Sequence, residues 1–157
     1  MPVLTVISIG HGIQTRYRVE VVTALRDMRL ALDQARLSAR RQRRPCGLSL
    51  GTSGWQPPSR GALPACLASN RSFYSTDKVS ALRIHTNLPE VVRFTANGLL
   101  IDGGLVVVSS LRSTERRCLV VSLPLGITRV GRYVDAAAGL DAGTSLRSSS
   151  CRPDERR

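Results

Sequence analysis

Between Arg16 and Arg44 the chain contains neither glycine nor proline, and its apolar residues recur at helical period. Leu25, Met28, Leu32, Ala35 and Ala39 follow one another at spacings of 3, 4, 3 and 4, which puts them on one face of a helix. Val21, Val22, Ala24 and Ala31 are expected to widen that face, whereas Arg26, Arg29, Arg36, Arg40 and Arg43 lie off it. Pro45 ends the helix because it has no N–H to continue the ladder and restricts the residue before it. Counted backwards, the helix can run into the apolar start of the chain, so residues 3–44 can form one long rod, straight or kinked.

After Pro45 the patterning changes. Cys46–Leu50 reads as a short strand, followed by a loop carrying Gly51, Gly54, Pro57, Pro58, Gly61 and Pro64, with Trp55 inside it. Further strands are expected at residues 79–85, 91–94, 99–101, 105–110, 116–123 and 127–134. Asn97-Gly98 is a strong turn signal, Asp102-Gly103-Gly104 splits two strands, and Arg112–Arg117 reads as a charged hairpin connection. Helix and strands are segregated, which predicts an α+β fold: a long N-terminal helix packed by its apolar stripe on one face of an antiparallel β-sheet. Three segments follow: residues 1–44 as apolar start and helix, 45–134 as the antiparallel β domain, and 135–157 as a loosely ordered basic tail.

Composition sharpens this picture. The 157 residues suffice for one domain, and 42% hydrophobic residues suffice for its core. With only 4% aromatics that core is chiefly aliphatic. Twenty-three basic against 11 acidic residues give a net charge of +12, and Lys78 is the one lysine among the 23. Such a charge implies an anionic neighbour: nucleic acid, anionic lipid or an acidic protein face. Cys46, Cys66, Cys118 and Cys151 include no pair at zinc-knuckle or redox-motif spacing. Disulfides are the preferred reading, with three pairings open, and they imply an oxidising compartment. Cys46 and Cys66 bracket the Gly/Pro-rich loop, and Cys118 is a plausible partner for Cys151. The apolar run Met1–Ile9 is far shorter than the roughly 18–20 residues that span a bilayer.

Enzymatic motifs are thin. Gly47-Leu-Ser49-Leu-Gly51 matches the nucleophile-elbow pattern, but a Gly/Pro loop follows where a helix is required, and only His11 and His85 could act as base. It reads as a small strand beside a turn. No phosphate loop, dinucleotide fingerprint or zinc-protease motif occurs, so no catalytic residue, cofactor or metal is expected. The arginines are the remaining signal. Arg36, Arg40, Arg41, Arg43 and Arg44 cluster where positive charge complements the helix C-terminus, and they read first as a solvated helix end and second as an anion-binding patch. Arg129 and Arg132 form a second set, followed by Arg147, Arg152, Arg156 and Arg157, with Tyr133 the one aromatic nearby.

The order of these segments resembles the GspH/FimT family of minor pilins and pseudopilins. Met1–Ile9 looks like the later part of a pilin hydrophobic segment, and the helix from Val22 to its basic end before Cys46 resembles the family's helix entering a first strand. Val92-Arg-Phe94-Thr-Ala-Asn-Gly98 and Arg117-Cys-Leu-Val-Val-Ser122 with Thr128-Arg-Val-Gly131-Arg132 are similar to its strand-then-glycine step and its last strand pair ending in a Gly-Arg turn. The family's basic leader, processing-site glycine and nearby glutamate are not in the sequence, and the expectation is that they are encoded upstream of Met1.

The resemblance implies a pilin-like fold and a non-catalytic minor subunit of a type II secretion pseudopilus or type IV pilus. It would be held in the bacterial inner membrane by a single pass, with its β domain in the periplasm. Its partners would be other pilin or pseudopilin subunits, and Leu25, Met28, Leu32, Ala35 and Ala39 would pack the filament core. Some FimT-like members bind DNA through a Gly-Arg motif near the C-terminus. Gly131-Arg132 matches the first half of it, and Val134 stands where a second arginine is expected. The alternative function is therefore DNA binding, in a DNA-uptake pilin or a soluble module, through Arg129, Arg132, Arg40, Arg43 and Arg44.

Overall fold

A computed structural model describes residues 6–68, 71–72, 81–135 and 145–154. The helix α1 spans Val6–Gln42, some 55 Å at 1.5 Å per residue. Among the described residues nine strands follow: β1 (Cys46–Leu50), β2 (Gly54–Gln56), β3 (Arg71–Ser72), β4 (Leu82–Thr86), β5 (Val92–Phe94), β6 (Gly104–Ser110), β7 (Ser113–Ser122), β8 (Ile127–Tyr133) and β9 (Cys151–Pro153). A 3-10 turn at Ser148–Ser150 leads into β9. The fold is α+β, one N-terminal helix against antiparallel strands.

The strands form two sheets where the sequence suggests one. β3-β2-β1-β5 make a four-stranded sheet and β4-β6-β7-β8-β9 a five-stranded sheet. The division arises because β5 turns away from its sequence neighbours to pair with β1, Cys46 opposite Phe94 and Leu48 opposite Val92. Trp55 lies in a strand rather than in the expected loop: it pairs with Leu50, is buried, and its indole N–H donates to the Met28 carbonyl at 3.2 Å. Of residues 99–101 only Leu100 pairs, in an isolated bridge to Phe94. The charged hairpin connection is tighter than expected, with Leu111-Arg112 forming the turn and Ser113 already in β7.

Both sheets press on one side of α1. Val21, Ala24, Leu25, Met28, Ala31, Leu32, Ala35 and Ala39 share a core with Leu48, Trp55, Val92 and Phe94 of the smaller sheet and Val106, Val108, Leu119 and Val121 of the larger. Val22, expected to widen this stripe, is 42% exposed. It sits 100° per residue round from Val21, beyond the reach of either sheet.

α1 and β7 run in the same direction. At one end Arg112, in the β6–β7 turn, meets Tyr17. At the other, Gly98 packs on Arg40, and the Leu100 N–H donates to Pro124 in the β7–β8 turn. Tyr17 to Arg40 spans about 35 Å of helix and β7 about 33 Å of strand, so the two elements are matched in length. Gly98 has φ +74° and is buried, and a Cβ there would lie 2.6 Å from Arg40 Cγ, so this turn requires glycine.

A second, smaller core lies on the far face of the larger sheet. Leu105, Val107, Cys118, Val120, Tyr133 and Cys151 are buried there, with Leu146 packed against them. The disulfides Cys46–Cys66 and Cys118–Cys151 account for all four cysteines. The first joins β1 to the loop whose Cys66 N–H donates to the Gly47 carbonyl. The second ties β9 over β8. Cys118 is opposite Gly131, and a Cβ on Gly131 would collide with the Arg152 carbonyl, so glycine lets β9 cross closely. Gly131-Arg132 therefore lies inside a strand and not in a turn.

Gly131→Ala is expected to cost about 3 kcal/mol, because backbone meets the new methyl and neither can yield. Gly12→Ala, whose methyl meets nothing within 4 Å, should stabilise by up to about 1 kcal/mol. Chemical denaturation of both variants checks the contrast.

Candidate assembly and anion-contact surfaces

Ser49 of the elbow-like motif is buried in β1, and its hydroxyl is occupied by Ser59. The Ser59 N–H donates to Ser49 Oγ at 2.9 Å, and the two hydroxyls lie 3.2 Å apart. β1 turns back into β2 rather than into a helix, so the nucleophile-elbow geometry is not formed. Among the described residues no group of three or more His, Cys, Asp or Glu is placed to hold a metal ion.

The five residues expected to pack a filament, Leu25, Met28, Leu32, Ala35 and Ala39, all face the chain's own sheets and are essentially inaccessible. Two sheets of the same chain cover this stripe. The opposite side of α1 also carries apolar residues. Val19, Leu30 and Leu37 are exposed and lie three and two helical turns apart, half a turn round from Met28. Val22 flanks them. The signal was present as apolar residues off the main stripe, within a face otherwise occupied by Arg26, Asp27, Asp33, Gln34 and Arg41.

The arginines divide by location. Arg129 and Arg132 are three residues apart in a strand, an odd spacing, so their side chains leave opposite faces of the sheet. Arg129 lies opposite Val120 of the outer core and reaches the Ser148 carbonyl at 3.4 Å. Arg132 lies opposite Arg117 on the face turned towards α1. They do not form one patch. Arg40, Arg43 and Arg44 are exposed at the C-terminal end of α1, and no salt bridge engages them among the described residues. The Arg40 stem covers Gly98. Arg43 takes φ +50° as the helix unwinds before Pro45.

Arg117, by contrast, is structural. It is buried, and its guanidinium donates to Glu115 at 2.6 Å and to both oxygens of Asp154 at 2.6 and 2.7 Å. Glu115 also lies 4.0 Å from Arg18, so helix, β7 and the residue after β9 meet in one ion network. A second ion pair fixes β5: Arg93 donates twice, at 2.9 Å each, to Asp102. Those hydrogen bonds hold the Asp102 carboxyl below its ordinary range, against a smaller opposing effect of burial.

Among the described residues no helix is long and apolar enough to cross a membrane. A protein-family model described as type II transport protein GspH matches residues 24–125, well over half of the chain. The matched region runs from the buried stripe of α1 through both sheets to the β7–β8 turn. No curated protein and no solved structure matches.

Arg117→Ala should destabilise the domain by about 3 kcal/mol, since it leaves Glu115 enclosed with its main partner gone. Arg132→Ala should change stability by no more than about 0.5 kcal/mol. Thermal or urea unfolding of the two variants separates the structural arginine from the exposed one.

Proposed function

The chain belongs to the GspH family of type II transport proteins, and from that membership we propose that it is a minor pseudopilin that assembles with other pilin-like subunits through α1. The role is architectural and non-catalytic. The filament is a type II secretion pseudopilus or a type IV pilus. The observation that carries this reading is the division of α1 into two faces. One is sealed against the chain's own sheets, while Val19, Val22, Leu30 and Leu37 remain exposed on the other. An exposed apolar row on a long helix suits packing against the helix of a neighbour.

The N-terminal part of α1 supports the same reading. Among the residues whose burial is described Val21 is the first buried one, and α1 continues about 15 Å back from Arg16 to Val6. Val6–Ile13 carries no Asp, Glu, Lys or Arg. This segment is the part of the chain suited to entering the inner membrane as a single-pass anchor, with the β domain in the periplasm. Two disulfides fit that oxidising compartment.

DNA contact is the second reading. It is favoured by Arg40, Arg43 and Arg44, which are exposed at one end of the molecule and unengaged by acidic groups among the described residues. Arg129 and Arg132 support it less, because they leave opposite faces of the sheet.

Leu30→Arg combined with Leu37→Arg should lower affinity for partner pseudopilins at least about ten-fold, measured by co-purification of the co-expressed subunits. The unfolding midpoint should stay unchanged, since both side chains are exposed. Full retention of the complex would reject this face of α1 as the contact. For the second reading, replacing Arg40, Arg43 and Arg44 with Gln should reduce the slope of log affinity for duplex DNA against log salt by roughly 3. An unchanged slope in a mobility-shift titration would remove these residues from any DNA site.

A further inference from the structure

The end of the molecule nearest the start of α1 is basic and carries an exposed leucine at its tip. Leu111 and Arg112 form the β6–β7 turn, and Leu111 is 68% exposed. The turn is held rather than loose. The Leu111 N–H donates to the Ala81 carbonyl at 2.9 Å, and Arg112 Nη1 donates to the Tyr17 hydroxyl at 2.6 Å while its guanidinium lies 5.5 Å from the Tyr17 ring centre. The tip is thereby fixed beside α1 at the level of Arg16 and Arg18, both well exposed. Arg83 and Arg116 flank Ser109 in the cross-strand row just behind the tip. Among the described residues three carboxylates share this end: Glu20, paired with Arg16; Glu115, paired with Arg18 and Arg117; and Asp154, paired with Arg117. With Arg117 counted, six arginines face three acids.

A leucine with arginines on both flanking strands of the sheet behind it, at the end where the uncharged Val6–Ile13 stretch of α1 begins, suits one kind of surface. Lipid headgroups supply phosphate for the guanidinium groups, and the acyl boundary beneath them accepts the leucine. Tyr17 is also suited to that interface, with an apolar ring and a hydroxyl already engaged by Arg112. We propose that the β6–β7 tip, with Arg16, Arg18 and Arg112, seats on the headgroups of an anionic bilayer and sets the domain's height and tilt above it. This inference rests on the reading of the helix start as a membrane anchor. It adds a second contact, made by the folded domain itself. The arginines supply attraction at the phosphate level, and Leu111 supplies depth.

The test places a fluorescent reporter at each contact of the full chain. Leu111→Trp reports on the tip and Ile7→Trp on the helix start, while native Trp55 is buried and gives a constant background. Vesicles of phosphatidylglycerol with phosphatidylethanolamine are compared with vesicles of phosphatidylcholine alone, each with and without brominated acyl chains. The expected result is a blue shift and bromine quenching of Leu111→Trp on the anionic vesicles only. Arg16→Gln, Arg18→Gln and Arg112→Gln together should weaken anionic-vesicle binding roughly a hundred-fold, at about five-fold per arginine. Leu111→Asp keeps every hydrogen bond of the tip and should weaken binding without lowering the unfolding midpoint. If Ile7→Trp is quenched and Leu111→Trp is not, the anchor stands and the tip contact is overturned. If neither is quenched, both fail. Equal response on zwitterionic vesicles, or binding of the tip to partner subunits with no vesicle response, also overturns it.

Discussion

Small and large side chains alternate along the inward stripe of α1, and the architecture depends on how two sheets fit that stripe. Ala24, Ala31, Ala35 and Ala39 let strand backbones approach the helix, while Leu25, Met28 and Leu32 fill the spaces between inward residues of both sheets. Trp55 adds a polar tie by donating to the Met28 carbonyl from within the same core. With that face sealed, the remaining features take their places. The sheets need no further cover on their inner side, the far side of the helix stays open, and the two ends of the molecule become chemically different.

The outer face of the larger sheet is handled by another means. Its six-residue core is too small to hold a covering segment by burial alone. The Cys118–Cys151 link anchors that segment, Gly131 allows its backbone to cross β8, and Asp154 completes the ion network around Arg117. Covalent closure thus replaces hydrophobic area where the apolar supply runs short. The same logic applies at Cys46–Cys66, which holds a loop rich in glycine and proline against β1.

Much of this was legible in the sequence because it is periodic. The inward stripe, β1, β5, β6 and β8 followed from spacing and composition, and the helix extension to Val6 followed from the absence of a strong breaker. What spacing does not encode was missed. β2 sits among glycines, where local propensity opposes a strand, and only the burial of Trp55 against α1 explains it. The division into two sheets depends on β5 choosing β1, a pairing between residues more than 40 apart in sequence. The burial of Leu25, Met28, Leu32, Ala35 and Ala39 was legible but its partner was not, because a helical stripe shows that something is covered without showing by what. Arginine clustering in sequence was equally ambiguous, since strand alternation separates Arg129 from Arg132 and burial turns Arg117 into scaffold.

The continuity of α1 from Val6 to Gln42 makes it a rigid shaft. A domain fixed along the C-terminal half of such a shaft cannot swing freely about the N-terminal half, so azimuth and axial position are coupled. One residue inserted or deleted between Ile13 and Arg16 would turn the whole domain by about 100° and move it by about 1.5 Å. For a protein that takes its place in an assembly, the number of residues in that stretch then matters as much as their polarity: it is a gear setting that decides which side of the domain points outward.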